Sequence, residues 1–251
     1  MFPITKKKEN AEYFYKQIKK ELNIFDDTEI YIPKERQLEF HIARIIRTLI
    51  KKQGDKLNYT IFMNLETGFE TKDMPENKKM NARDRIDITL FYYPKDSYND
   101  IEDEFTNEPF CEVIEVKRSG KIPGLTNKTT EDQKIILDKY FAEKFFKTKE
   151  TNTIAHDFRR LVNFVGGACK IIRPKYKGEF EERYKVLGGL FIDLYSKEKK
   201  KEVIKYGVKY WSEKKKDLKF QKNLYLKDIS QRIDKNKEFL SIVFFTKKKL
   251  F

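Results

Sequence analysis

The sequence predicts an α/β fold from three observations: a strongly amphipathic helix near the start, three strand-like segments in succession after it, and further helices leading to a fourth strand. In the opening segment, Tyr13, Phe14, Ile18 and Leu22 fall at helical spacing and predict a helix over 9–22. A connection over 23–33 carries the turn signal Asp26-Asp27-Thr28. The strongest helix spans 34–52, where Leu38, Ile42, Ile45, Ile46 and Leu49 make one apolar stripe and Gly54 stops it. Strands follow over 59–65, 85–93 and 110–117, with a polar loop between the last two. Ile135, Ile136, Tyr140, Phe141 and Phe145 predict a helix over 131–148; Phe158, Leu161, Val162 and Val165 predict another over 154–166, ended by Gly166-Gly167. Residues 188–195 read as the fourth strand. After it, Lys197-Glu198-Lys199-Lys200-Lys201 opens a charge-dense region with a helix near 201–216 and a late strand over 241–245, which either extends the sheet or belongs to a small subdomain.

With 251 residues the chain fits one domain, 1–251, large enough to bury a substantial core. No apolar run approaches the roughly 18 residues of a membrane span, and the opening residues lack the apolar segment of a signal peptide. A cytoplasmic protein with no membrane partner is expected, with Cys111 and Cys169 reduced. The net charge of +14 fits a nucleic-acid partner, but 43 Lys against 11 Arg, beside abundant Ile, Asn, Phe and Tyr, also fits a lysine bias of A/T-rich codons. His41 and His156 have no zinc spacing, no Ser-His-Asp or Cys-His signature is visible, and the glycines form no phosphate-cradling loop.

The most informative residues are Asp87, in Arg85-Ile86-Asp87-Ile88-Thr89-Leu90, and the Glu115-Val116-Lys117 that ends the third strand. Alternate side chains of a strand share a face, so Glu115 and Lys117 point together while Ile114 and Val116 enter the core. If the two segments pair, two carboxylates and an ammonium converge. Oxygen ligands for a hard divalent cation, with an amine beside them, suit phosphodiester hydrolysis. A charge set among Val113, Ile114 and Val116 needs a reason, because an unpaired buried charge is expensive; the structural alternative is a buried ion pair.

This pattern resembles the PD-(D/E)XK nuclease superfamily, in which an Asp at a strand start precedes Glu-x-Lys or Asp-x-Lys on the next strand. Ile86 stands where that pattern has proline. The resemblance covers about 35–195 and implies a restriction-endonuclease-like central mixed sheet flanked by helices, with a helical N-terminal addition (9–22) and a basic C-terminal extension (196–251). It implies a metal-dependent endonuclease acting on nucleic acid, DNA by default, that leaves a 5′-phosphate. Asp87, Glu115 and the carbonyl of Val116 would hold Mg (or Mn), and Lys117 would orient the nucleophile. The family often adds a glutamate from the first core helix. Glu35 and Glu39 share a face there, and Glu39 is preferred as the one deeper in the helix; Glu66, after the first strand, is weaker. Arg118, Lys121 and Arg160 are the candidates for phosphate contact, and the cluster Lys197, Lys199, Lys200 and Lys201 for tracking a backbone. The alternative reading is a nuclease-fold module without turnover that binds nucleic acid or assembles with a partner protein. A homo-oligomer stays open.

Overall fold

Period-2 apolar segments become strands and period-3.6 segments become helices, and in a computed structural model of the chain they assemble around one mixed sheet. The structure describes residues 2–27, 35–71, 85–95, 109–118, 123–125, 128–142, 153–166, 169–173, 182–195, 198–214, 224–233 and 238–250. In chain order the elements are α1 (Lys8–Asp27), α2 (Glu35–Gln53), a 3-10 turn (Gly54–Lys56), β1 (Tyr59–Thr71), β2 (Arg85–Pro94), β3 (Phe110–Lys117), α3 (Thr130–Ala142), α4 (Ile154–Gly166), β4 (Cys169–Arg173), β5 (Glu182–Tyr195), α5 (Glu198–Lys214), β6 (Tyr225–Ile233) and β7 (Glu238–Thr246). Gly54 has φ +46°, the left-handed conformation that suits the residue after a helix end.

The main sheet runs β1-β2-β3-β5-β7-β6, antiparallel throughout except for β3 against β5. A parallel pair needs a long crossover, and α3, α4 and β4 lie within it. The short β4 pairs with the far end of β1, at Phe69, Glu70 and Thr71, and with the first residues of β5. One face of the sheet is covered by the N-terminal segment, α1 and α2, through Ile4, Phe14, Ile18, Leu38, Ile42 and Ile46. The other is covered by α3, α4 and α5, through Phe141, Phe158, Leu161, Val203 and Trp211. Both faces of β3 are therefore buried along its whole length.

Several elements differ from the sequence reading. The fourth strand begins at Glu182 rather than at Gly188, β1 runs on past Leu65, and β4 and β6 were not foreseen. The late strand extends the sheet: β7 lies along β5 from Phe239 to Thr246, and β6 forms the outer edge. The basic C-terminal region therefore contributes two strands to the main sheet. Lys227, Asp228 and Arg232 hid β6, because an edge strand tolerates charges that break the apolar alternation. Positions 143–148 of the expected third helix lie outside the described residues, as does Lys197.

The lysine cluster also changes meaning. Lys200 is 4% exposed, and its Nζ stands 2.7 Å from both carboxylate oxygens of Asp193. It also lies over the Tyr195 ring, while Lys201 lies over Phe239. Lys200 is therefore part of the packing between α5 and the sheet, and replacing it strands Asp193 in the interior. Lys200→Ala should cost about 3 kcal/mol, read as a lowered denaturation midpoint at unchanged m-value; a midpoint like wild type would contradict the burial.

Candidate active site

A strand buried on both faces has no room for unpaired charge, yet β3 carries Glu112, Glu115 and Lys117. Each is resolved differently. Glu112 points toward the α1/α2 face and accepts from Ile4 N–H (2.9 Å), Thr5 N–H (2.5 Å), the Thr5 hydroxyl (2.6 Å) and the Tyr92 hydroxyl. It ties residues 2–5, which are buried, to the centre of the sheet. Nothing in the sequence near this glutamate marks it, because Ile4 and Thr5, which give three of its four hydrogen bonds, lie more than a hundred residues away.

Glu115 and Lys117 share the opposite face, and the register brings Asp87 to them. Ile88 pairs with Ile114, so one step further along the antiparallel ladder sets Asp87 beside Glu115. Asp87 Oδ2 accepts the Val116 N–H at 2.7 Å. On the other side of Asp87, Glu66 falls between the β1–β2 pairs Leu65↔Ile88 and Thr67↔Ile86. Glu66 does not follow the first strand but interrupts it, with φ 52°. A non-glycine residue in the left-handed region is uncommon and costs of order 1 kcal/mol, and such outliers cluster at functional sites. From above, α2 contributes two glutamates. Glu39 is buried, and its charge is felt with those of Asp87 and Glu66. Glu35, ranked behind Glu39 in the sequence reading, is the one that contacts the lysine: its carboxylate accepts from Lys117 Nζ at 3.2 Å and from the Arg118 N–H at 3.3 Å.

The third wall is α4. Lys117 Nζ lies 3.0 Å from Asp157 Oδ2, and Arg160 Nη2 lies 3.2 Å from Glu115 Oε1. Arg160, a candidate for phosphate contact, is buried along with Asp157 and Arg159, and Arg159 donates to the carbonyl of Phe141 near the end of α3. Arg118, expected at phosphate, is 8% exposed and turned inward, donating to the Leu194 carbonyl at 2.9 Å and to Glu238. Lys121 lies outside the described residues.

Electrostatics show how crowded the carboxylates are. Burial first, then the charges of Asp87 and Glu66, raise Glu39 to about 7. Asp87 rises to about 6, driven by burial and by Asp157, against the opposing Val116 hydrogen bond. Glu115 is pushed well above the usual carboxylate range by burial and by Asp87 and Asp157, with Arg160 opposing. Lys117 behaves oppositely: burial alone would lower it, but Asp157, Glu35 and Asp87 together hold it above the ordinary lysine value. Lys117 is consequently an ammonium at neutral pH, a donor and not a base.

The chain matches no protein family, no curated protein and no solved structure with which it was compared. Among the described residues no helix is long and apolar enough to cross a membrane. The site must therefore be read from its own residues.

Those residues suit a hard cation. Oε1 of Glu115 is buried and accepts no hydrogen bond, its contact with Arg160 being a close approach of charges without hydrogen-bond alignment. Neighbouring carboxylates raise one another, a repulsion that a divalent ion removes. Among the described residues no three such groups stand close enough to hold an ion in their present positions; Glu115 is drawn to Arg160 and Asp87 to the Val116 N–H.

The same shifts predict a stability profile. Raised carboxyl values mean that the native state keeps protons that the unfolded chain has released, so the slope of stability with pH is negative through the window. The contribution of Asp87 is fully present below about pH 4 and is lost as pH rises through about 6. The loss between pH 4.5 and 7.5 amounts to roughly 2 kcal/mol of about 3 in all. In chelator, the melting temperature of wild type should fall from pH 4.5 to 7.5 more steeply than that of Asp87→Asn, by roughly 4–8 °C. Parallel curves would show that Asp87 is not perturbed.

Proposed function

We propose that this chain is a metal-dependent nuclease of the PD-(D/E)XK type, hydrolysing phosphodiester bonds of nucleic acid, DNA most plainly. The observation that carries the reading is the juxtaposition of Asp87 and Glu115 on paired strands β2 and β3, with Lys117 two residues on along the same face and Glu39 beside them from α2. The order α2, β1, β2, β3, then α3 and α4, then β5 parallel to β3 in a mixed sheet supports it, being similar to the αβββ, helix, β succession of that superfamily.

Asp87, Glu115 and the carbonyl of Val116 would hold Mg or Mn, with Glu39 adjoining. When bound, such an ion lowers the pKa of a water and offsets charge gathering on the phosphate. The chain's own residues do the rest. Lys117, fixed as an ammonium by Asp157 and Glu35, donates a hydrogen bond that aligns the attacking water and stabilises negative charge in the transition state. Burial under α2 and α4 lowers the local dielectric, which strengthens each of these interactions.

A second reading, a nuclease-fold module without turnover that binds nucleic acid or a partner protein, draws on one observation: Lys117 and Glu115 are both engaged in buried ion pairs with α4. Plasmid, linear duplex, single-stranded DNA and RNA, each incubated with Mg, Mn or chelator, separate the two. Cleavage that needs the metal and leaves 5′-phosphates is expected; metal-independent cleavage, or none on any substrate, would overturn the nuclease reading.

A further inference from the structure

Asp157 and Arg160 stand three apart on one face of α4, and Glu115 and Lys117 stand two apart on one face of β3. The two pairs meet with complementary charge, Asp157 on Lys117 at 3.0 Å and Arg160 on Glu115 at 3.2 Å. All four side chains are buried, at 2% exposure for Asp157, 5% for Lys117, 6% for Arg160 and 1% for Glu115. The two contacts are not equivalent. Lys117 has a second carboxylate in Glu35 and so remains compensated if α4 shifts. Glu115 has the guanidinium of Arg160 against its Oε1, which, like Asp157 Oδ2, accepts no hydrogen bond. It is held there by charge alone.

A divalent ion brought to the carboxylate oxygen that faces the guanidinium meets a like charge at close range in a buried site, so the two compete for that oxygen. We propose that Arg160 is a built-in stand-in for the cation: it holds a positive charge against Glu115 Oε1 and keeps the site assembled until a divalent ion displaces it, so that metal binding releases the arginine of α4. This rests on the metal reading above and adds a competitor for the same oxygen. Displacement costs part of the ion's binding free energy, and couplings of this kind amount to about 5- to 150-fold in affinity.

The test uses the full chain without nucleic acid, titrated with Mn²⁺ and followed by thermal melting and calorimetry. Arg160→Gln leaves Glu115 buried without its counter-charge, so it should melt lower than wild type in chelator, gain a larger increase in melting temperature from Mn²⁺, and bind the ion about tenfold more tightly. Wild type that binds Mn²⁺ with Arg160→Gln binding no tighter would overturn the stand-in role and leave the metal reading intact. Binding by neither protein would overturn both. Should Arg160→Gln not fold, Arg160→Lys serves: its shorter, point-charge ammonium competes less well at Glu115, so tighter Mn²⁺ binding than wild type supports the proposal and equal or weaker binding overturns it.

Discussion

Lys117→Met should lower phosphodiester cleavage by about a thousandfold, equivalent to roughly 4 kcal/mol of transition-state stabilisation, at saturating Mg or Mn. The loss belongs in kcat, because the ammonium acts on charge that develops during the reaction and contributes little to holding the substrate beforehand. Methionine keeps the stem of the side chain and removes the charge. The ammonium of Lys117 also lies between Asp157 and Glu35. Removing it leaves a buried Asp157 without its main counter-charge, so the variant should also lose about 2–4 kcal/mol of stability. Activity is therefore compared at a temperature where circular dichroism shows both proteins folded. A folded Lys117→Met protein with wild-type kcat would remove Lys117 from the chemistry.

The largest effect on stability is expected far from the carboxylates, at Gly188. A Cβ built there lies 2.2 Å from the Thr5 hydroxyl oxygen and 2.6 Å from the Thr5 Cβ. Even alanine cannot be accommodated unless Thr5 moves. Thr5 is one of the groups that hydrogen-bond the buried Glu112, so its displacement leaves that carboxylate short of partners. Gly188→Ala should cost about 3 kcal/mol or more, a fall in melting temperature of roughly 6–12 °C for a chain of this size. Thr5→Gly removes the clashing atoms, and the double variant should be more stable than the sum of the two single changes. Strict additivity would show that the contact between the N-terminal segment and β5 is not tight.

Which residues were legible in the sequence follows from the range of the forces that place them. β3 and α4 were read to their ends, because strong apolar periodicity within a dozen residues fixes each. Asp87 and the Glu115-Val116-Lys117 run stood out because charge inside such a segment conflicts with burial. The same conflict at Glu112, in the same strand, went unread: its resolution comes from Ile4 and Thr5, and nothing local marks them. The sequence offers Arg160 for phosphate contact and leaves Asp157 unmarked, since the partners that bury both lie on β3. Lys200 falls in the cluster offered for tracking a backbone, because a lysine-rich run does not reveal which of its members turns inward toward Asp193. Glu66 was assigned to the residue after β1, and its interruption of the strand is visible only in the backbone.

The most direct test of the proposed site is calorimetric titration of Mn²⁺ into wild type, Asp87→Asn and Glu115→Gln at pH 7.5. A divalent ion held by these carboxylates predicts saturable binding to wild type and at least a tenfold loss of affinity in each variant, with both variants folded by circular dichroism. Equal affinity in all three proteins would place any bound ion elsewhere and contradict the site.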